Sequence, residues 1–383
     1  MKILEYDYHD AGEPGWSFDT VKFNKINLLV GDTATGKSRL LNTIFNFGRF
    51  VGAGETKIGD WHIVFDHSGI TYKWNLKCQD LDNDNKGVIV EDYLTKIAGT
   101  KVQRLIERDD KTFRFGGNPM PKLDRRETSV SILREEKEIR PVFEAFSLIQ
   151  RRLFSESGLA EVSGSENVPP TVIAQLKNTG DIRKLFAAQL KLSANLYFLK
   201  RYFKQQYRRI VDFYMQVFPF IESVDVSELS DLKPHLVGFG PLPKSLGRLP
   251  VFTLQERGSS HKVPLFEFSS GMTKVLLILT DLYVLPAGGV YIIDEYENSL
   301  GINAIDFFPE FILDFEKDLQ FFITSHHPYI INAIPPTNWY LFHRNGTRVS
   351  IQHGEELVTR FGSSRQDAFI QLINDPFYSN GVE

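Results

Sequence analysis

Residues 31–38, with the sequence GDTATGKS, constrain the fold of this chain more than any other stretch. They match the pattern G-x-x-x-x-G-K-[ST], in which backbone N–H groups and a helix N-terminus surround the phosphates of a nucleotide. Residues 25–30, KINLLV, come directly before them and are predicted to form a buried strand. Residues 39–47, which follow, carry apolar side chains at helical spacing. A strand, a loop and a helix in this order predict an α/β fold built around a phosphate-binding loop.

Each position of this loop has an expected part in binding ATP. The residues predicted to surround the phosphates are Gly31, Asp32, Thr33, Ala34, Thr35, Gly36, Lys37 and Ser38. Lys37, which is expected on an exposed loop, would reach the β- and γ-phosphates, and the Ser38 hydroxyl would ligate Mg²⁺. The alternative is a chance match in a glycine-containing turn. The flanking strand and helix favour the first interpretation, so ATP and Mg²⁺ are the predicted cofactors.

A second apolar run, residues 289–293, ends in two acids, Asp294 and Glu295. A buried parallel strand presents its C-terminal end to the ligand, so Asp294 is expected to hold Mg²⁺ through water. Glu295 is expected to polarise the water that attacks the γ-phosphate. Asp294 follows Lys37 by 257 residues, a much longer separation than small GTPases and RecA-like motors have. The alternative is a buried strand that ends in a solvated acidic pair.

Three further segments lie near the acidic strand. Residues 268–272, FSSGM, come before an apolar helix, and Ser269 and Gly271 would form an anion-binding helix N-terminus or a simple serine N-cap. Residues 296–301, YENSLG, follow Glu295 directly. Residues 319–328, LQFFITSHHP, are predicted to form a strand that ends at two histidines.

Residues 25–47 and 263–333 resemble the RecF/SMC/OLD-like branch of ABC ATPases, and most of all its AAA15/AAA21-type proteins. In this resemblance residues 268–272 are the signature motif and residues 296–301 are the D-loop. His326 is the switch histidine that contacts the γ-phosphate, whereas His327 is expected to be structural. The resemblance implies an α/β fold of the ABC-type P-loop ATPase head, with an antiparallel β subdomain and an inserted helical region.

The resemblance also implies partners. The signature motif of one copy, with Ser269 and the Gly271 amide, caps the γ-phosphate bound by another copy, so a homodimer or higher oligomer is expected. Too few residues follow residue 351 for the C-terminal TOPRIM nuclease of OLD-type relatives, so a nuclease or toxin effector would be a separate protein. Gln150, in a segment predicted to be helical, is the candidate for the Q-loop glutamine. Tyr8 and Trp16 are candidates for the aromatic ring that stacks on adenine.

The chain is expected to divide into three ranges. Residues 1–150 would form the N-terminal part of the head with the phosphate-binding (Walker A) loop, and they include a predicted β-hairpin at residues 61–76. Residues 151–235 would form a helical insertion, either a lid or a short coiled-coil stub. Residues 236–383 would carry the signature motif, the acidic (Walker B) strand, the D-loop and the switch histidine.

Within residues 182–219, an apolar stripe repeats every three or four residues from Leu192 to Val217 and predicts one long helix. Arg201, Lys204 and Arg208 are spaced three and four apart and are expected to share its opposite face. Two interpretations remain open for these cations: a solvated helix face, or a nucleic-acid contact with Tyr197 one turn away.

The composition excludes several classes of protein. A formal net charge of -4 indicates that any DNA contact must come from a local patch. The single cysteine, Cys78, permits no internal disulfide, and a reducing cytoplasm fits. The N-terminus lacks the apolar run of a signal peptide, and no apolar stretch is long enough to span a bilayer. A cytoplasmic protein without a membrane span is therefore expected.

The predicted function is that of an ATPase head that dimerises around two ATP molecules. Family analogy favours an ATP-gated sensor or clamp on DNA or on a partner effector, in bacterial anti-phage defence. One alternative is a scaffold that binds ATP with little turnover and holds a separate effector. The other is the nucleotide-binding subunit of a transporter, which the ENSL and TSHHP stretches disfavour.

Overall fold

The computed structural model describes residues 1–10, 15–53, 56–81, 84, 86–152, 154, 168–229, 249–356 and 365–382. The chain forms two units. The first contains Met1–Arg151, Ala287–Tyr296 and Ile312–Glu383, and the second contains Arg152–Pro286 and Glu297–Phe311. This division differs from the three predicted ranges, because the segment that follows Tyr296 belongs to the second unit while the acidic strand itself belongs to the first.

The strands of the described residues are named in chain order. They are β1 (Lys2–His9), β2 (Ser17–Lys22), β3 (Ile26–Val30), β4 (Gly59–His67), β5 (Ile70–Gln79), β6 (Val88–Ala98), β7 (Lys101–Arg108), β8 (Phe113–Phe115), β9 (Asn118–Pro119), β10 (Ile149–Arg152), β11 (Ile221–Glu228), β12 (Pro250–Glu256), β13 (Lys262–Pro264), β14 (Val290–Ile293), β15 (Gln320–Thr324), β16 (Trp339–Asn345) and β17 (Arg348–His353).

Helices are referred to by their bounds. The α-helices are Lys37–Ala53, Ser129–Ile132, Arg140–Phe146, Pro170–Thr179, Ile182–Ala187, Leu192–Tyr202, Lys204–Val217, Ser270–Val284, Ile302–Leu313, Pro328–Ala333, Arg365–Asn374 and Pro376–Ser379. Short 3₁₀ turns cover Leu265–Glu267 and Pro336–Asn338. Within the described part of the chain, no helix combines the length and the apolar character that crossing a bilayer requires.

The first unit is built on one large mixed sheet. In the described residues its strand order is β10-β14-β15-β3-β16-β17-β2-β1-β4-β5-β6-β7-β8-β9. Strands β14, β15, β3 and β16 are parallel, and from β2 to β9 every neighbouring pair is antiparallel. A parallel core joined to an antiparallel subdomain confirms the predicted α/β class.

Aromatic packing fixes the helix Lys37–Ala53 against the sheet. The Phe47 ring lies at 5.9 Å from Trp61, 4.9 Å from Trp74 and 5.2 Å from Phe146, measured between ring centroids. All four side chains are almost fully buried. Burying large aromatic side chains stabilises strongly, and these rings come from both the helix and the antiparallel strands. The start of this helix, and the loop before it, are therefore held by the core.

The predicted hairpin is confirmed. His67 at the end of β4 pairs with Ile70 at the start of β5, so only Ser68 and Gly69 form the connection. Both have positive φ, 55° and 77°, as a two-residue hairpin turn of the type I′ class requires.

The prediction of one long helix from Leu192 to Val217 is wrong. Two helices occupy this range, and they are separated at Phe203, whose φ of -131° and ψ of 57° are not helical. The turn at Phe203 lets Leu192–Tyr202 pack on β12 while Lys204–Val217 packs on Ser270–Val284. Phe203 itself is buried and apolar, so the apolar spacing of the sequence continues through the break and gives no sign of it.

This break also corrects the prediction that Arg201, Lys204 and Arg208 share one helix face. Arg201 lies in the helix before Phe203, and the other two lie in the helix after it. All three are exposed, and Arg201 donates a 3.0 Å hydrogen bond to the Tyr197 hydroxyl.

The second unit is centred on the helix Ser270–Val284, called the signature helix below. Every residue from Thr273 to Val284 is buried, as expected of a helix that is apolar on all sides. Its buried charges are paired: Asp281 accepts hydrogen bonds of 2.8 and 2.9 Å from Arg152. Lys274 donates to the Asn298 carbonyl at 2.8 Å and lies 4.2 Å from the Phe154 ring centroid.

Candidate functional site

The phosphate-binding loop connects β3 to the helix Lys37–Ala53, as predicted. Its backbone takes conformations that favour glycine: φ is 103° at Gly36 and 67° at Ala34. A Cβ atom on Gly36 would lie 3.0 Å from a methyl carbon of Val349 and 3.4 Å from the Trp16 ring. The glycine therefore serves both the turn and the close packing at the start of the helix.

Lys37 is buried rather than exposed, which corrects that expectation. Its side chain is 5% exposed, and its ammonium donates 2.7 Å hydrogen bonds to the carbonyl oxygens of Gly31 and Asp32. A third contact, of 3.3 Å, reaches the Thr35 hydroxyl. The ammonium thus lies in the concave side of the loop, where the pattern predicts the phosphates, and the carbonyl oxygens satisfy its donors.

Ser38, Asp294 and Thr324 meet at the carboxyl ends of the parallel strands. The Ser38 hydroxyl donates to Asp294 Oδ1 at 3.0 Å, and the Thr324 hydroxyl donates to the same atom at 2.7 Å. Strands β14, β15 and β3 are adjacent and parallel, so their carboxyl ends share one edge of the sheet. A hydroxyl and a carboxylate are the oxygen donors that Mg²⁺ prefers, so this set fits the predicted metal.

Glu295 has a strained backbone. Its φ of 51° is uncommon for a residue with a side chain, and its N–H donates a 2.7 Å hydrogen bond to the Thr324 hydroxyl. The carboxylate is exposed at the end of β14, directly after the half-buried Asp294. This conformation separates the two acids, one beside Ser38 and one toward solvent, as their different predicted roles require.

The two histidines after β15 differ in their surroundings. His327 caps the helix Pro328–Ala333 and accepts a 3.3 Å hydrogen bond from the Tyr329 N–H through Nδ1. This is the structural role expected of it. His326 is exposed at the strand end, and its contact with a γ-phosphate remains a prediction.

The signature motif and the predicted D-loop meet within the second unit. Ser269 caps the signature helix by accepting a 3.3 Å hydrogen bond from the Met272 N–H. A Cβ atom on Gly271 would lie 2.5 Å from the Ser299 carbonyl oxygen. With the bond from Lys274 to Asn298, this close approach joins the two motifs into one surface. The action of Ser269 and Gly271 on the nucleotide of another copy remains a prediction.

Sequence patterns did not identify Arg151. Its guanidinium lies 3.1 Å from Asp294 Oδ2, and it also donates to the Asn42 side chain. Arg151 and the buried Gln150 lie in β10, next to β14, so the helical prediction for this segment is wrong. Only the pairing of β10 with the acidic strand shows that Arg151 belongs to the site, and no local motif marks that pairing.

Of the two aromatic candidates near the loop, Trp16 is the better placed. Tyr8 is buried between Phe18 and Trp61 in the core. Trp16 is half-buried against Gly36, and the Arg39 guanidinium lies 4.1 Å from its ring centroid. This cation–π pair beside the loop was not predicted. Stacking of Trp16 on adenine remains a prediction.

Comparisons with known proteins agree with this geometry. The AAA_21 family model, described as "AAA domain, putative AbiEii toxin, Type IV TA system", matches residues 26–332. A crystal structure of an SMC head bound to the C-winged helix domain of ScpA has a TM-score of 0.52 at 10% identity, with 92% of this chain and 97% of that chain covered. This likeness shows a shared fold.

Two further SMC head structures align more loosely. The SMC head domain from Thermotoga maritima has a TM-score of 0.40 at 11% identity, with 92% of this chain and 99% of that chain covered. An Smc head with an extended coiled coil, bound to the C-terminal domain of ScpA derived from Pyrococcus furiosus, has a TM-score of 0.46 at 10% identity, with 94% and 98% covered. No curated protein matches the chain in sequence. Because the family model spans most of its residues, the chain belongs to the AAA_21 family, and it shares the fold of an SMC head.

Proposed function

We propose that this chain binds and hydrolyses ATP with Mg²⁺ and dimerises around two ATP molecules. One observation carries the proposal: Ser38 of the phosphate-binding loop and Asp294 of the acidic strand are hydrogen-bonded at the shared edge of the parallel strands. A phosphate cradle and a metal-binding carboxylate at one edge are the parts that phosphoryl transfer requires. Lys37, on the inside of the same loop, supplies a positive charge there.

The residues of the chain would divide the work of hydrolysis. Bound Mg²⁺ would neutralise charge that develops on the phosphates, and Ser38 and Asp294 would hold it. Lys37 would exchange its bonds to Gly31 and Asp32 for bonds to phosphate oxygens. Glu295 would accept the proton of the attacking water from its exposed position at the strand end. His326, on the neighbouring strand, would donate a hydrogen bond to the γ-phosphate.

Dimerisation would complete each site. In the proposed arrangement, Ser269 and the Gly271 amide of one copy face the phosphate-binding loop of the other. The helix N-terminus that Ser269 caps offers a partial positive charge for the γ-phosphate. Gly271 has no side chain at this end of the signature helix, and the Ser299 carbonyl lies so close to it that a Cβ atom would not fit there.

The use of ATP is proposed from the family and from one structural relative. An ATP-gated sensor or clamp, acting on DNA or on a separate nuclease or toxin in the bacterial cytoplasm, fits a head of this branch. The SMC head of one relative is bound to a domain of ScpA, so heads of this fold can engage a second protein. A role in anti-phage defence accords with the family description, which places it in toxin–antitoxin systems.

The partner can be identified by trapping the ATP-bound state. A Glu295→Gln variant would be affinity-purified from its native host with Mg²⁺ and ATP, and Lys37→Ala would serve as the matched variant that does not bind ATP. Proteins or DNA enriched with Glu295→Gln and absent from Lys37→Ala are the expected partners. Equal recovery with both variants would contradict ATP gating. Tight ATP binding by the wild type without measurable turnover would favour the scaffold alternative instead.

A further inference from the structure

Hydrogen bonds join five side chains around the acidic strand into one network. Ser38 and Thr324 donate to Oδ1 of Asp294, and the guanidinium of Arg151 lies 3.1 Å from Oδ2. The other end of the same guanidinium donates to Asn42 Oδ1. Asn42 lies one turn after Ser38 in the helix that follows the phosphate-binding loop, so the network begins and ends on that helix.

This network leaves little of the Asp294 carboxylate free. A carboxylate has roughly four acceptor positions. Three contacts occupy them here, two from neutral hydroxyls and one from a cation. The pair is shielded from water, since the side chains of Arg151 and Asp294 are 9% and 14% exposed. Because little water screens it, the positive charge of Arg151 repels a second cation that approaches the same carboxylate.

We propose that Arg151 holds Asp294 in the nucleotide-free protein and competes with Mg²⁺ for this carboxylate, so that it sets the Mg²⁺ concentration at which ATP binds. This role rests on the proposed function, because it requires an ATP site with Ser38 and Asp294 on the metal. Arg151 is thus a positioning residue, which acts on the metal through Asp294.

The surroundings of Arg151 allow it to release the carboxylate. Among the described residues its buried Nε has no hydrogen-bond partner, so its fixed contacts are those to Asn42 and Asp294. The bond to Asn42 can keep the guanidinium near the loop while the bond to Asp294 breaks. Arg152, the next residue, donates two hydrogen bonds to Asp281, so its guanidinium is engaged in an ion pair of its own.

The test is the Mg²⁺ dependence of ATP binding. Binding of a fluorescent ATP analogue would be measured at a constant concentration while Mg²⁺ is titrated, for the wild type and for Arg151→Met. The half-saturating Mg²⁺ concentration should fall about 10-fold in Arg151→Met, since a neighbouring charge commonly changes an equilibrium at a carboxylate by one to three powers of ten. Binding of the analogue in excess EDTA should be the same for both proteins.

Two further variants test whether the change in Mg²⁺ dependence comes from the ion pair of Arg151 with Asp294. Arg151→Lys keeps the charge but cannot span both partners, so its half-saturating Mg²⁺ concentration should lie between those of the wild type and Arg151→Met. Arg140→Met removes an exposed arginine that pairs with Glu135, and it should leave the Mg²⁺ dependence unchanged. If Arg151→Met fails to fold, as judged by thermal melting, Asn42→Ala replaces it, and it should also lower the half-saturating Mg²⁺ concentration, by a smaller factor.

The outcomes separate the two proposals. A half-saturating Mg²⁺ concentration that is unchanged or higher in Arg151→Met, or in Asn42→Ala where it replaces that variant, would overturn the role of Arg151 and leave the ATP site intact. A wild type that binds no ATP analogue at any Mg²⁺ concentration would overturn the proposed function, and the role of Arg151 with it.

Discussion

The Ser38 hydroxyl donates a 3.0 Å hydrogen bond to Asp294 Oδ1 across a separation of 256 residues. The bond arises because β3, β15 and β14 are parallel neighbours, so the residues that follow β3 and β14 reach the same edge of the sheet. The chemistry proposed for this chain depends on this meeting of the two residues.

Replacing Lys37 should greatly weaken nucleotide binding while the protein stays folded. Lys37→Ala removes the only ammonium bonded to the loop carbonyls of Gly31 and Asp32 in the described residues. Calorimetry should show ATP affinity lower by a factor of roughly 100, as expected when a charge-assisted bond to phosphate is removed. The exposed residue Lys22 offers a control, and Lys22→Ala should bind ATP as the wild type does. Unchanged affinity in Lys37→Ala would remove Lys37 from the site.

Mixing two inactive variants tests whether the sites are shared between copies. Lys37→Ala lacks an ammonium for the phosphates and Ser269→Arg blocks the signature motif, so each alone should hydrolyse little ATP. A mixed dimer has one complete site, with a normal loop from one chain and a normal signature from the other. Part of the wild-type turnover should therefore return on mixing. No recovery above either variant alone would argue against sites formed by two chains, or would mean that both sites must act together.

Gly271→Ala should destabilise the second unit. The added Cβ atom would lie 2.5 Å from the Ser299 carbonyl oxygen, a distance that forces one backbone segment to move. The free energy of unfolding should fall by roughly 2 kcal/mol, as for other overpacked sites. Gly52 is the matched control, because it lies in a helix and a Cβ there meets no atom within 4 Å. Gly52→Ala should raise stability by up to about 1 kcal/mol. Equal stability of the two variants in urea titrations would contradict the close approach of Gly271 to Ser299.

DNA binding, if the clamp proposal is right, should depend on the three exposed cations near the helix break. The triple variant Arg201→Glu, Lys204→Glu, Arg208→Glu should bind duplex DNA more weakly without a change in sequence preference. The slope of log affinity against log salt should fall by about 0.9 for each DNA phosphate that the variant no longer neutralises. Binding would be measured across a salt series with ATP present.

A second triple variant controls for the change in net charge. Lys22, Lys73 and Arg114 are exposed cations of the first unit, and their conversion to Glu alters the total charge equally. It should leave the salt slope unchanged. If the wild type binds no DNA, or if both triple variants behave alike, the cations near Phe203 are a solvated surface or a docking surface for an acidic protein.

The sequence predicts the site well where its parts are contiguous. Residues 31–38 lie between a strand and a helix, and the short apolar run before Asp294 is typical of a buried strand, so both motifs follow from local patterns. Their meeting at one edge follows from the general geometry of parallel sheets. Arg151 has no such pattern, because its role depends on which strand pairs with β14.

The helix break at Phe203 shows a second limit of sequence patterns. Leu199, Phe203 and Tyr207 continue the four-residue apolar spacing through the break, so periodicity alone indicates one continuous helix. The turn is decided by packing against β12 and the signature helix, which lie far away in the sequence. Tertiary packing of this kind overrides a regular local pattern.

Glu295→Gln should separate ATP binding from hydrolysis. The amide keeps the shape of the side chain but cannot accept the proton of the attacking water, so turnover should fall by a factor of about 100 or more while ATP still binds. Glu310 is an exposed acid of the helix Ile302–Leu313, and Glu310→Gln should hydrolyse ATP at the wild-type rate. Wild-type turnover in Glu295→Gln would show that another group accepts the proton.

The most direct test of the proposed function is the mass of Glu295→Gln in solution, measured by sedimentation with and without Mg²⁺ and ATP. One chain has a mass of 43.9 kDa. Saturating ATP should double the mass of the species present without nucleotide, and the double variant Lys37→Ala, Glu295→Gln should show no change. A Glu295→Gln protein that binds ATP by calorimetry but keeps the same mass would contradict a head that dimerises around its nucleotide.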